Sequence, residues 1–163
     1  MKQTLLHVEH PFEPVSDERS RVLVLGSFPS VRSREEGFYY GHPQNRFWRV
    51  LALLVQCDVP ATIDEKRELL LCHGIALWDV LKRCDVRGSS DASIRNAEPN
   101  DIAALLGRTR IQKIYCNGRK AGELYARYAE TAVGMPAVVL PSTSPANAAW
   151  SLQRLALVWR EVI

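Results

Sequence analysis

The chain has 163 residues, of which 47% are hydrophobic and 24% charged, and its formal net charge is +3. This size and balance predict a single domain over residues 1–163, with residues 1–20 as an N-terminal arm, and exclude a disordered protein. The apolar runs, such as those at residues 22–25 and 50–55, reach six residues at most, far fewer than the roughly 20 residues of a membrane span. We therefore expect a cytoplasmic monomer with no membrane contact, whose weak positive charge permits a polyanionic partner without selecting one.

Four short, mainly apolar segments rich in β-branched residues predict strands. They lie at residues 21–25, 75–78, 111–116 and 137–140, and each ends in a polar or turn-forming stretch. The first run is continuously apolar up to Gly26, which is typical of a strand covered on both faces at the centre of a parallel sheet.

Helical patterns fill the gaps between these runs. Apolar spacing and capping residues predict helices at residues 46–56, 62–74, 100–106, 119–130 and 145–162. Alternating strands and helices indicate the α/β class, with a central, mainly parallel four-stranded sheet between helical layers in a three-layer α/β/α arrangement. In such sheets ligands bind at the carboxyl ends of the strands, so the loops there are the places to look for a site.

The cysteines and histidines do not predict a metal or a cofactor. The four cysteines are widely spaced and include no Cys-x-x-Cys pair: Cys57, Cys72, Cys84 and Cys116. His7, His10 and His73 likewise lack the paired spacing of metal ligands. We expect no metal, no cofactor and no disulfide framework.

Two loops at predicted strand ends carry long motifs. The first strand is followed by Gly26-Ser-Phe-Pro-Ser30 and then by Phe38-Tyr-Tyr-Gly-His-Pro-Gln-Asn-Arg-Phe-Trp48, and the last strand by Leu140-Pro-Ser-Thr-Ser-Pro-Ala-Asn147. These segments resemble the two motifs of the uracil-DNA glycosylase superfamily, and their combination is most similar to its hypoxanthine-DNA glycosylase branch. The resemblance implies a uracil-DNA glycosylase-like fold and a monofunctional glycosylase that removes a deaminated base, preferably hypoxanthine, from double- or single-stranded DNA. Such a reaction starts base excision repair.

The sequence departs from the related mismatch-specific uracil glycosylases at two positions. Phe28 stands where that branch places an asparagine, and Leu140 stands where a histidine or asparagine is often found. The nearest carboxamide is Asn45, and the resemblance implies that it is the catalytic residue. An amide orients water rather than deprotonating it, because it is not basic near neutral pH. The alternative is that Asn45 only caps the following helix.

Four further residues are candidates for binding the flipped base. Phe28 and Tyr40 offer rings on which a base could stack, although either ring could equally fill the core. Asp79, at the end of the second predicted strand, could accept a hydrogen bond from the ring N–H that hypoxanthine and uracil share. Asn117 follows the third strand and could contact the base or the catalytic loop.

Other polar residues are candidates for holding the DNA backbone. The resemblance implies that the loop after the last strand contacts phosphates, and we assign the same role to the serines of the first motif and to two basic residues at a helix start. The candidates are Ser27, Ser30, Ser142, Thr143, Ser144, Arg119 and Lys120. Helix caps and ordinary solvated charge are the alternative explanations for these residues.

Three other functions compete with hypoxanthine removal. A mismatch-specific uracil-DNA glycosylase is the nearest alternative. Replacement of both usual catalytic positions also fits a DNA-damage-binding module without catalysis. A serine hydrolase using Ser27 or Ser30 has little support, because no Gly-x-Ser-x-Gly sequence is present.

Overall fold

A computed structural model describes residues 4–163. The strands are β1 (Leu5–Glu9), β2 (Val22–Gly26), β3 (Ile75–Asp79), β4 (Leu81–Arg87), β5 (Arg95–Pro99), β6 (Lys113–Asn117) and β7 (Ala137–Leu140). The helices are α1 (Val31–Glu36), α2 (Phe47–Val55), α3 (Ile63–Cys72), α4 (Ile102–Gly107), α5 (Arg119–Tyr128), α6 (Glu130–Val133) and α7 (Leu152–Trp159). Short 3-10 turns cover Asp91–Ser93 and Arg160–Val162.

The predicted four-stranded sheet is confirmed. Its strand order is β3-β2-β6-β7 and every neighbouring pair is parallel. Strand β2 is buried along its whole length, as its continuous apolar sequence predicts. Because side chains alternate across a strand, Val22 and Val24 pack into one core while Leu23 and Leu25 pack into the other.

Helices cover both faces of this sheet, which confirms the three-layer α/β/α architecture. One core joins the strands to apolar residues of α2, α3 and α7, including Phe47, Leu70 and Trp159. The other core joins the strands to α4 and α5 through residues such as Leu105 and Leu124. Each of these five helices buries its apolar stripe against the sheet, and this burial supplies most of its stability.

A second sheet was not predicted. Strands β1, β4 and β5 form an antiparallel sheet in which β4 is central. Strand β4 follows β3 after the single residue Val80, and it buries Leu81, Cys84 and Val86 while charged residues alternate with them. Part of the expected N-terminal arm is therefore strand β1, whereas residues 1–3 lie outside the described residues.

Two predicted helix starts were wrong. Helix α7 begins at Leu152 after the cap Ser151 rather than at residue 145, because residues 145–151 form a loop. Asn100 does not cap α4; Asp101 does, accepting a hydrogen bond from the backbone N–H of Ala104 at 3.0 Å. The buried Asn100 amide instead donates to the carbonyls of Asp79 and Leu81, at 2.9 and 3.1 Å.

The segment after β1 covers the edge of the parallel sheet. Val15 exchanges two backbone hydrogen bonds of 2.9 Å with Leu77 of β3, which is an edge strand. This pairing protects the exposed edge and carries residues 10–14 past the carboxyl end of β3. No helix within residues 4–163 is long and apolar enough to cross a membrane.

Candidate active site

A cavity of about 360 Å³ opens at the carboxyl ends of β2, β3 and β6, where the fold class predicts a ligand. Loops before α2 and after β7 complete its wall. Ten of the twelve predicted site residues line it: Ser27, Phe28, Ser30, Tyr40, Asn45, Asp79, Asn117, Ser142, Thr143 and Ser144. Its volume lies within the usual range of small-molecule pockets, about 300–1,000 Å³. The protein's own rings therefore leave space for a ligand at this edge of the sheet.

A buried histidine–aspartate pair lies at the end of β3. Nε2 of His10 is 2.8 Å from Oδ2 of Asp79, and the two side chains are 3% and 5% exposed. The other oxygen, Oδ1, has no hydrogen-bond partner among residues 4–163 and approaches Cα of Gly26 so closely that a Cβ there would clash with it. Gly26 therefore leaves room for a carboxylate with one free acceptor in the cavity.

Tyr40 is fixed by its backbone and by stacking. Its φ is +53°, a value uncommon for residues other than glycine, and its ring stacks on Phe47 with centroids 4.2 Å apart. The hydroxyl is buried and has no partner within the described part of the chain. Burial raises the pKa of Tyr40, the negative charge of Asp79 adds to the effect, and the neighbouring Asn117 side chain opposes it. The phenol is therefore a neutral group, free to bond a ligand.

Phe28 is partly buried beside the same pair. Its ring meets the ring of His10 edge-on at 6.0 Å, and the guanidinium of Arg34 lies 5.8 Å from its centroid. The ring also borders the cavity. Phe28 thus combines the core contact and the cavity position that the sequence left as alternatives.

Asn45, Thr143 and Asn117 form a connected network. The Thr143 hydroxyl donates to Oδ1 of Asn45 at 2.9 Å and accepts from Nδ2 of Asn117 at 3.0 Å. The backbone N–H of Thr143 donates to Oδ1 of Asn117 at 3.0 Å. Thr143 belongs to the cavity lining but has no surface exposed to solvent, so a phosphate could not reach it without a rearrangement. Asn117 uses both ends of its amide on Thr143.

Asn45 also lies at the start of helix α2. The N-cap residue of α2 is Arg46, whose side chain makes no capping bond, but Oδ1 of Asn45 accepts from the backbone N–H of Phe47, the first residue of the helix, at 2.9 Å and so satisfies one of its free donors. With the bond from Thr143, both lone pairs of Oδ1 are engaged. Its Nδ2 has no partner in the stretch 4–163 and is the end of the amide available to a ligand or water.

Arg46 links the two motif loops. Its guanidinium donates to the carbonyls of Trp150, Ser144 and Asn147, the last two at 2.9 and 3.0 Å. Its backbone N–H donates to the carbonyl of Thr143 at 3.0 Å. The planar, five-donor guanidinium suits this contact with several carbonyls, and it holds the loop after β7 against the start of α2.

The remaining serines make local contacts at the rim. Ser27 donates to Asp91 at 2.9 Å, and Ser30 caps α1 by accepting from the backbone N–H of Ser33 at 3.1 Å. Ser142 and Ser144 accept from backbone N–H groups two residues ahead. Desolvation raises the pKa of Asp91, opposed by the Ser27 hydrogen bond and the charge of Lys120.

The two basic candidates lie outside the cavity. Arg119 borders an adjoining groove lined by residues of the loop after β7, and it forms an exposed ion pair with Glu123 at 3.4 Å. Lys120 is half-buried at the start of α5. Among residues 4–163 no three His, Cys, Asp or Glu side chains converge as a metal site would require.

The sequence did not identify three residues of the site: His10, Asp91 and Arg46. His10 is 69 positions from its partner Asp79, and Asp91 belongs to a turn of the unpredicted antiparallel sheet. Arg46 is part of the first motif, but the sequence did not indicate its role, because its partners lie about a hundred residues away. A long-range side-chain contact leaves no local pattern in a single sequence.

Comparison with known proteins gives matches over nearly the whole chain. A family model described as "Uracil DNA glycosylase superfamily" matches residues 13–162. A protein of Methanosarcina acetivorans named "Hypoxanthine DNA glycosylase" is 37% identical over 149 residues, covering 90% of this chain and 93% of that protein. One of the same name from Methanosarcina barkeri is 36% identical over 138 residues, covering 83% and 86%. A solution NMR structure from M. acetivorans superposes with a TM-score of 0.79 at 34% identity, covering 96% of this chain and 99% of that one.

Proposed function

This chain belongs to the uracil DNA glycosylase superfamily and is a DNA N-glycosylase, and we propose that the base it releases is hypoxanthine. Two relatives more than a third identical to it carry the name hypoxanthine DNA glycosylase. Its substrate is DNA. Release of the base would leave an abasic site, the first intermediate of base excision repair.

The observation that carries the proposal is the free oxygen of Asp79. Oδ1 is an acceptor in the cavity, and an ionised carboxylate has no hydrogen to donate. The six-membered rings of hypoxanthine and uracil carry an N–H beside a carbonyl, whereas adenine and cytosine carry a bare nitrogen at that position. A lone acceptor therefore favours deaminated bases over their parents, because the parent base would leave the carboxylate unpaired.

The chemistry needs little from the protein beyond positioning. The target nucleotide leaves the stack and enters the cavity. The bond from the sugar C1′ to the base nitrogen then breaks, its electron pair leaves with the base, and the oxygen of water bonds to C1′. The proton lost by that water passes through solvent to the departing base. The sugar is already electron-poor at this stage, so the water needs orientation more than deprotonation.

Asn45 is our candidate for orienting that water. Its Nδ2 can donate to one lone pair of the water and leave the other directed at C1′. The bonds from Phe47 and Thr143 to Oδ1 hold the amide plane still, at 2.9 Å each. Capping and catalysis are thus compatible, because they use opposite ends of one amide.

The DNA backbone would lie along the rim and the adjoining groove. Ser27, Ser30, Ser142 and Ser144 line the cavity entrance or the loops beside it, and Arg119 and Lys120 add positive charge at the start of α5. Thr143 is assigned to the catalytic network rather than to the backbone, because it is fully buried.

Uracil is the second candidate base. Its N3–H lies beside a carbonyl as the N1–H of hypoxanthine does, so Asp79 could accept a hydrogen bond from either base. A cavity of about 360 Å³ accommodates a purine, and a smaller pyrimidine would leave part of it unfilled. Stacking on Phe28 would then be poorer for uracil.

The proposal is tested with duplexes that hold one hypoxanthine, uracil or xanthine opposite each normal base. Alkali and heat after incubation convert abasic sites into strand breaks. We expect breaks at hypoxanthine, and a single-turnover rate at least about a hundredfold lower in Asn45→Ala, within the range seen when one positioned catalytic group is removed.

Asn45→Ala also removes the hydrogen bond to the first N–H of α2, which costs about 1 kcal/mol of stability, as the loss of a capping bond does. Thr62→Ala is the matched control, because Thr62 is not part of the cavity lining and caps α3 by accepting from the backbone N–H of Glu65 at 3.1 Å. Equal melting temperatures with activity lost only in Asn45→Ala would support catalysis. Full activity in Asn45→Ala would return that residue to a capping role, and binding without any base release would favour the non-catalytic module.

A further inference from the structure

We propose that His10 determines base specificity by occupying one oxygen of Asp79, so that the cavity accepts hypoxanthine and rejects guanine. The inference rests on the proposed function and deepens it. Guanine is the normal base that resembles hypoxanthine most closely, and Asp79 alone could not exclude guanine.

Guanine is the hardest normal base for this site to reject. Both hypoxanthine and guanine carry N1–H beside a carbonyl oxygen, and guanine differs only by an amino group at the adjacent carbon. A carboxylate with two free oxygens can bond N1–H and the amino N–H together, as it does the parallel N–H groups of arginine. An unoccupied Asp79 would therefore favour guanine over hypoxanthine.

His10 removes the second acceptor. Its Nε2 is 2.8 Å from Oδ2 of Asp79, and both side chains are almost fully buried. Nδ1 faces the backbone N–H of Phe12 at 3.5 Å, so Nδ1 accepts and Nε2 carries the hydrogen that is donated. Oδ1 alone is then left for a base. One acceptor satisfies the single N–H of hypoxanthine and leaves the amino group of guanine without a partner, which is unfavourable in a closed site.

Packing around the His10 imidazole holds it in position to keep its hydrogen bond to Asp79. Its ring lies edge-on to Phe12 and Phe28, with centroids 4.6 and 6.0 Å away, and 5.9 Å from the ring of Tyr39. The backbone N–H of His10 donates to the carbonyl of Lys82 in β4 at 2.6 Å. The antiparallel sheet thus fixes the residue that sets the hydrogen-bonding pattern of the cavity.

The test compares inhibition by free hypoxanthine and free guanine of hypoxanthine release from DNA. For the unaltered protein we expect guanine to inhibit at least about tenfold more weakly, since a buried unpaired donor costs about 1–3 kcal/mol and 1.4 kcal/mol is a factor of ten. In His10→Ala the freed oxygen should lower the guanine-to-hypoxanthine ratio of inhibition constants about tenfold. His10→Gln places an amide N–H near the position of Nε2 and should restore the original ratio.

His7→Ala is the matched control. His7 belongs to the same N-terminal region and pairs with Asp85 at the same 2.8 Å, but its side chain is 57% exposed and lies outside the cavity. Its removal should leave the ratio unchanged. If His10→Ala does not fold, His10→Leu keeps the packing with Phe12 and Phe28 and should lower the ratio in the same way.

Two results would overturn the inference: an unchanged ratio in a folded His10→Ala or His10→Leu protein, or equal inhibition by both bases in the unaltered protein. Failure of the proposed function gives a different result, namely no release of hypoxanthine from DNA. In that case calorimetric titration of the same variants with the two free bases measures the ratio without catalysis.

Discussion

Thr143 is the residue through which the two asparagines of the cavity are connected. Its hydroxyl donates to Asn45 and accepts from Asn117, and it is fully buried. Thr143→Val keeps the shape but removes this hydroxyl. We expect the single-turnover rate of base release to fall about tenfold, with unchanged affinity for DNA, because a freed Asn45 amide samples other orientations. The free energy of unfolding should fall by about 1–3 kcal/mol, which is the cost of leaving buried polar groups without partners.

Thr143→Ser retains the hydroxyl and should recover most of the rate. Thr109→Val provides the control for hydroxyl loss, because Thr109 donates to the carbonyl of Leu105 at 3.0 Å outside the cavity. That variant should lose stability without loss of rate. A Thr143→Val protein that binds DNA more weakly but reacts at the normal rate would instead indicate a role in DNA contact.

The identity of the site residues could be predicted better than their roles. The strand ends and the two motifs indicated ten residues that line one cavity. The role of Thr143 could not be derived, because its two partners are 98 and 26 residues away and the sequence gives no sign of its burial. The same holds for His10, since only the packing against β3 brings it to Asp79.

At the level of elements, Arg46 joins the start of α2 to the loop between β7 and α7. Its guanidinium binds three carbonyls of that loop. Arg46→Lys keeps the charge but removes the planar set of donors. We expect the backbone N–H groups of Asn147 and Trp150, which bond within the loop at 3.0 and 3.2 Å, to exchange about tenfold faster with deuterium. A tenfold increase in exchange rate corresponds to a decrease of roughly 1.4 kcal/mol in the free energy of opening the loop.

Arg49→Lys is the control for this experiment. Arg49 is on the same helix and also donates to carbonyls, but those of Gln44 and Asn45 at 3.2 and 3.3 Å. Exchange in the loop after β7 should not change in that variant. Unaltered exchange in Arg46→Lys would mean that the loop is held by its own turns and not by the arginine.

Elements with an uninterrupted pattern could be predicted, and elements with a mixed pattern could not. Three of the four parallel strands are short, almost purely apolar segments, and β6 has the apolar core Ile114-Tyr-Cys116, so their sequence alone indicated them. Strand β4 alternates buried residues with charged ones and begins one residue after β3, which conceals the boundary between the two. The early start predicted for α7 has a similar cause, since serine, proline and asparagine are as frequent in loops as at helix starts.

At the level of the whole molecule, the net charge of +3 is too small to direct DNA to the cavity by itself, so the position of the charges matters. Arg119 and Lys120 lie at the start of α5, next to the loop after β7. If both bind phosphates, changing both to alanine should reduce the slope of log affinity against log salt concentration by about 0.9 for each phosphate that is no longer neutralised. The measurement is a salt titration of binding to a duplex that contains hypoxanthine.

The control must remove the same charge elsewhere. Arg108 and Arg110 lie between α4 and β6, at the amino ends of the parallel strands and thus at the sheet edge opposite the cavity. Their replacement by alanine lowers the net charge equally, and we expect the salt slope to stay within about 0.3 of its original value, because screening confines such effects to about 10 Å at 0.1 M salt. Equal reductions of the slope in the two double variants would show that overall charge, rather than phosphate binding at the start of α5, governs affinity for DNA.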